Sequence, residues 1–139
     1  MKASEKTWHQ FYQKLGYLFY SVAAADQHIA KEEEKILHEM VLEDWVAFST
    51  AHDEFGTDAA YEIEIVFDYI QDQGLSADKA FHVFEKFYKE NNGLFTDDVN
   101  QRIFHTIQRI SHSFHGNNKS ELTAITRVHL LLGREKTTA

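Results

Sequence analysis

Asp26, Glu32 and Glu33 are the residues whose types and spacing come closest to a recognisable chemistry, that of a divalent-cation site. They fall in Ala24-Ala25-Asp26-Gln27-His28-Ile29-Ala30-Lys31-Glu32-Glu33, where Asp26 precedes Ile29 by three residues and Glu33 by seven. That order matches the second half of a calcium-binding EF-hand loop, in which a turn oxygen and a bidentate Glu share the ion. The first half does not follow. The earlier ligand positions are Val22 and Ala24, which carry no side-chain oxygen, and Gln27 stands where glycine makes the sharp bend. An EF-hand is excluded, and two readings stay open. In one, Asp26 shapes a turn, Ile29 staples it to the core and Glu33 bonds back to the backbone at a helix start. In the other, Asp26 and Glu33, with Glu32, approach a calcium, magnesium, manganese or zinc ion whose remaining ligands come from elsewhere in the fold.

The nine histidines offer further metal chemistry. Counted at about 100° per residue, His105 and His112 share a face opposite the apolar stripe of their helix, which places them in solvent. His112 and His115 stand three apart, but no third ligand at fixed spacing accompanies them. His129 falls inside the stripe of Leu122, Ile125, Val128 and Leu132, and Asp44 inside that of Ile36, Leu37, Met40, Val41 and Phe48. A carboxylate taken into a core needs a partner, so a buried His129 to Asp44 contact is the expectation. Nucleophilic catalysis finds no support in motifs: there is no Gly-x-Ser-x-Gly elbow, no Cys and no phosphate-binding glycine loop. The paired carboxylates all have a helix-surface explanation, and no enzyme is expected.

The elements that position these groups read as helices. The absence of proline leaves Gly, Asn, Asp and Ser to punctuate the chain. Trp8, Phe11, Tyr12, Leu15, Leu18, Phe19 and Val22 repeat at i, i+3, i+4 spacing over about residues 5 to 25. A second helix carries Glu32, Glu33 and Glu34 in its first turn, where carboxylates meet the positive end of the macrodipole, and residues Thr50 to Thr57 break it. The third carries Ala59, Ile63, Val66, Phe67 and Ile70. Its segment Tyr61 to Phe67 also alternates like a strand, but no hairpin turn or partner strand accompanies it. Gln73-Gly74 closes the third helix, Ser76 caps a fourth, and Asn91-Asn92-Gly93 ends that one. Thr96 caps a fifth with Asp97 and Asp98 in its first turn. Asn118 and Glu121 form a capping-box pair before a sixth helix that stops at Gly133, leaving 134–139 as a frayed tail. The fold class is all-α: a single compact domain, residues 1–139, of about six to seven helices with helical hairpins at 5–49 and 96–133. The two hairpins read either as a weak internal repeat or as two unrelated pairs.

Composition agrees with one folded domain. Of 139 residues, 43% are hydrophobic and 14% aromatic, too many for a disordered acidic chain. With 22 acidic against 14 basic residues the formal charge is −8, and no Lys/Arg run is present to neutralise phosphates, so nucleic acid is not an expected partner. No apolar window reaches signal-peptide or membrane-span character, and the lack of Cys fits a cytoplasmic setting.

The order of a helix ending Ala24-Ala25-Asp26, a turn ending in Ile29 and a Glu-rich helix start at Glu33 resembles the tellurite-resistance TerB-like family, whose members typically show Ala-Asp-Gly-x-Ile-Ser-x-x-Glu there. Gln27 replaces the family's glycine and Ala30 its hydroxyl cap. The second hairpin, His115-Gly116-Asn117-Asn118-Lys119-Ser120-Glu121, keeps a Gly and a Glu, is one residue shorter, and has His where Asp is expected. The resemblance implies paired helical hairpins related to the N-terminal helical domain of DjlA-type membrane co-chaperones, no established catalysis, a link to tellurite and other chemical stress, and metal binding through acidic residues. On this chain the candidate ligands are Asp26, Glu33 and Glu121. The expected function is a non-catalytic binding module acting on a protein partner through an aromatic-rich groove, on a divalent cation near the Asp26 turn, or on both. The alternatives are a metal-dependent enzyme, which requires a His and two carboxylates to converge, and a structural homodimer, which requires an exposed apolar patch.

Overall fold

The computed structural model describes residues 5–25, 31–52, 61–114 and 119–137, with side chains placed for 6–25, 34–45, 61–112 and 123–133. The described residues form six α-helices: α1 (Glu5–Ala23), α2 (Lys31–His52), α3 (Tyr61–Gln73), α4 (Ala77–Glu90), α5 (Asp97–Phe114) and α6 (Lys119–Thr137), with a 3₁₀ turn at Asn92–Leu94. The all-α expectation holds, and the strand-like segment of α3 is helical.

The local signals act where the sequence placed them. Gly74 takes φ +68°, the left-handed conformation that lets a helix end. The amides of Gly74 and Leu75 then reach back to the carbonyls of Gln71 and Ile70 at 3.1 and 3.2 Å. Ser76 Oγ accepts from the amide of Lys79 at 3.1 Å, and Thr96 Oγ1 accepts from the amide of Val99 at 3.4 Å. Two expected boundaries are corrected: α2 runs through Thr50 to His52, and α6 does not stop at Gly133 but runs on to Thr137. A glycine ends a helix only by leaving helical φ, and the Arg-Glu-Lys that follows favours continuation.

Helix α1 is the hub. Phe11, Tyr12, Leu15, Leu18, Phe19 and Val22 are fully buried, and Tyr20, Ser21 and Ala23 are buried as well, so its C-terminal half is enclosed on every side and not along one stripe. It packs on α3, α4, α5 and α6, most extensively on the first two. The expected hairpin of α1 with α2 is not a close-packed pair: α2 packs chiefly on α5 and α3, and it reaches α1 through the ring of Trp45, its centroid 6.2 Å from Phe11 and 6.1 Å from Phe19. Against α3 the approach is close. A Cβ on Gly16 would lie 2.9 Å from the carbonyl oxygen of Ile63 and 3.0 Å from Val66, so only glycine lets the two backbones meet this way. Tyr20 ties the same pair further along by donating to the carbonyl of Leu75 at 2.7 Å; burial pushes its phenol above the ordinary value of 10.0.

Asp44 is buried, as its place in the α2 stripe implied, but its partners differ from the expected one. Thr106 donates to Oδ2 at 2.9 Å and Arg109 to Oδ1 at 2.9 Å. Trp45 Nε1 in turn donates to Thr106 Oγ1 at 3.0 Å, so α2 and α5 are joined by one satisfied polar chain. The nearest histidine to Asp44 is His105, at 3.8 Å. His129 is solvent-exposed and stacks on Phe104 with ring centroids 4.1 Å apart and planes 9° from parallel. The buried arc of α6 centres on Val128, Leu131 and Leu132. His129 lies at its edge, where an imidazole can cover an aromatic face and keep its nitrogens in water.

Three substitutions test this packing. Gly16→Ala, which in an open helix would gain up to about 1 kcal/mol, is expected to lose about 1–3 kcal/mol by overpacking against α3. Gly133→Ala, with nothing within 4 Å of the added methyl, is the control expected to stabilise. Thr106→Val removes the hydroxyl that bonds both Trp45 Nε1 and Asp44 Oδ2 in the core and should cost about 2 kcal/mol. Chemical denaturation of the three variants measures all of these.

Candidate metal centre

Helix α3 divides its residues among several faces at about 100° per residue. Ile63, Phe67 and Ile70 point inward and are buried. Val66 and Glu62 turn toward α1, where Glu62 Oε1 meets His9 Nδ1 at 2.8 Å. Glu64 and Asp68, one turn apart, turn toward α2. There His38 rises between them, one turn after Glu34 on the same helix.

The imidazole of His38 engages both carboxylates. Nδ1 lies 3.0 Å from Glu64 Oε1, and Nε2 lies 2.9 Å from Asp68 Oδ1. The ring meets the edge of Phe67 at 6.0 Å and 89°, which fixes its plane. His38 is 19% exposed, Glu64 28% and Asp68 47%, so the cluster sits at the rim of the core and is open to solvent on the Asp68 side. Glu34 completes it: one ligand atom each from Glu34, His38 and Asp68 lie within 4.8 Å of one another.

The two contacts of His38 are chemically different. Nε2 and Asp68 Oδ1 are both buried atoms that make no aligned hydrogen bond, although they stand 2.9 Å apart. Two donors side by side at this distance, off the hydrogen-bond axis, have the spacing of neighbouring ligands on one ion. Metal–ligand bonds of 2.0–2.2 Å put adjacent donor atoms about 2.8–3.1 Å apart at octahedral angles and about 3.3–3.6 Å apart at tetrahedral ones. On the other side Glu64 can accept a hydrogen bond from Nδ1–H and leave the Nε2 lone pair toward Glu34 and Asp68, which is how a carboxylate orients a metal-ligating histidine. The arrangement therefore offers an imidazole nitrogen, two carboxylates and one orienting carboxylate, a donor set suited to zinc or manganese more than to calcium or magnesium.

Other histidines are differently placed. His82 pairs with Asp78 at 3.4 Å and with Glu85 at 3.1 Å, but all three are on α4 and His82 is 59% exposed, the geometry of a surface helix pair. His9 meets the carboxylate of Glu62 at 2.8 Å. His105 and His112 are exposed, as expected, and His115 lies outside the described residues.

Of the ligands expected from sequence, Asp26 lies outside the described residues; Glu32 and Glu33 belong to α2 and Glu121 to α6, but their side chains are outside the described set, as is the Asn118 cap. The first turn of α2, which holds Glu33, also holds Glu34. Sequence reasoning missed His38 and treated Glu64 and Asp68 as solvated surface. A usable signal was present: Glu34-x-x-x-His38 and Glu64-x-x-x-Asp68 each place two ligand types on one helix face. What the spacing could not supply was that these two faces meet.

No protein-family model matches this chain, and no curated protein or solved structure is significantly similar to it.

Proposed function

We propose that this chain is a non-catalytic helical module that binds a divalent transition-metal cation between α2 and α3, with Glu34, His38 and Asp68 as ligands and Glu64 orienting His38. The observation that carries this reading is the His38 ring, held with one nitrogen against a carboxylate and the other at an unaligned 2.9 Å from a second. The site is contiguous in sequence with the Asp26 turn, so the reading keeps the cation at the start of α2 and moves its centre one turn into the helix. It is compatible with a TerB-like stress-response role, in which metal binding through acidic residues is the expected property, and with a cytoplasmic setting.

The convergence of one histidine with several carboxylates also meets the requirement set for a metal-dependent enzyme. In that second reading the ion would activate water at its open side. Turnover of a carboxyl or phosphate ester by the zinc- or manganese-loaded chain, lost in His38→Ala, would favour it over the binding module.

Titration calorimetry with zinc, manganese, calcium and magnesium tests the proposal. Zinc or manganese is expected to bind one per chain and more tightly than calcium or magnesium. His38→Ala should abolish that binding, and Glu64→Gln should weaken it by about 10–100-fold. Asp26→Ala should leave it nearly unchanged. Loss of binding in Asp26→Ala with retention in His38→Ala would place the ion at the turn instead, and no heat with any of the four ions at millimolar concentration would remove the cation reading.

A further inference from the structure

The strand-like alternation of α3 has a second consequence. Two residues advance a helix by about 200°, so Tyr61, Ile63, Ile65, Phe67 and Tyr69 alternate between opposite sides of it. Ile63 and Phe67 fill the core. Tyr61, Ile65 and Tyr69 form an outer line at i, i+4 and i+8, and they are 43%, 64% and 60% exposed. Ordinary helix surfaces do not repeat large apolar residues on successive turns.

The rim of this line is acidic. Glu64 and Asp68 border it on the α2 side, Glu62 borders it on the α1 side, and Asp72 continues it past Tyr69, while α3 contains no Lys or Arg in its 13 residues. That charge pattern discriminates among coverings. A lipid surface is met by helices with Lys or Arg beside the apolar face, which attract anionic headgroups; here the flanks would be repelled. A second copy packed by two-fold symmetry would set the same carboxylates against each other. A helix with an apolar spine flanked by Lys or Arg fits on both counts, and the net charge of −8 attracts it over a distance. Exposed Tyr is suited to such a contact because it presents a large stiff ring with a polar tip.

We propose that the outer face of α3 is the docking site for a cationic amphipathic helix of a partner protein. Tyr61, Ile65 and Tyr69 receive its apolar spine in a helix-on-helix contact, and Asp72 with the outer edges of Glu64 and Asp68 receives its basic flanks. The apolar line and Asp72 lie outside the metal cluster, so docking does not require the ion, whereas Glu64 and Asp68 belong to both sites and an ion bound there would weaken the attraction.

The test uses fluorescence anisotropy with a labelled synthetic amphipathic helix of about four turns, bearing a Leu spine and Lys flanks, in buffer containing a chelator so that metal binding plays no part. The peptide is expected to bind the intact chain, with affinity falling as salt rises. Ile65→Glu and Tyr69→Ala, both at exposed positions and checked for unchanged helicity by circular dichroism, should each weaken binding by about tenfold or more. The same peptide with Glu flanks should not bind, and should gain affinity for Asp72→Lys. Failure of the Lys-flanked peptide to bind would overturn the proposal, as would equal binding of the two peptides or full binding by folded Ile65→Glu. Light scattering that showed a dimer abolished by Ile65→Glu would assign the face to a second copy. Binding to anionic vesicles abolished by that variant would assign it to a lipid surface.

Discussion

The approach of α1 to α3 at Gly16 is the constraint on which the remaining arrangement rests. The C-terminal half of α1 is enclosed, and each helix around it must choose a rotation. For α3 the choice is made where the carbonyl of Ile63 and the side chain of Val66 sit in the space a Cβ would need. With that contact set, Ile63, Phe67 and Ile70 face inward, Glu64 and Asp68 face α2, and Tyr61, Ile65 and Tyr69 face outward. A roll of one residue, about 100°, would bury a carboxylate and expose a phenylalanine. The His38 cluster and the outer apolar line are thus two consequences of one packing decision.

Two polar constellations show how the same residue types serve different ends. Asp44 is enclosed, and its oxygens accept from Thr106 and Arg109, so the group is satisfied and its role is to fix α2 against α5. His38 is at the rim, and its close contact with Asp68 is not a formed hydrogen bond. A satisfied network rigidifies. The three groups can be joined by a doubly protonated imidazole or, as proposed, by a cation that replaces the proton between Nε2 and Asp68.

Much of the fold was legible from sequence because the signals were local. Gly74, Ser76 and Thr96 each act on the turn beside them, and apolar spacing located the helices from Trp8 onward. The failures share a cause in how faces meet. His129 was placed by counting around an ideal stripe, but the edge of that stripe is decided by where Phe104 of α5 ends. Trp45 was absent from the expected core, although it carries the contact of α2 with α1, because only the assembled bundle shows which rings it meets. His38 was passed over because Glu64 and Asp68 come from a helix more than twenty residues away. The strand-like pattern of α3 was legible as an oddity; its meaning, two apolar faces on one helix, required knowing which of them was covered.

The most direct test of the central claim is a two-dimensional ¹H–¹⁵N spectrum of the histidine rings during titration with zinc. If His38 Nε2 is the ligand and Glu64 holds the proton on Nδ1, the Nε2 resonance of His38 moves to the metal-bound range while Nδ1 remains protonated, and His9, His82 and His105 stay unchanged. An unperturbed His38 ring in the presence of bound zinc, with the change appearing at another histidine, would contradict the account.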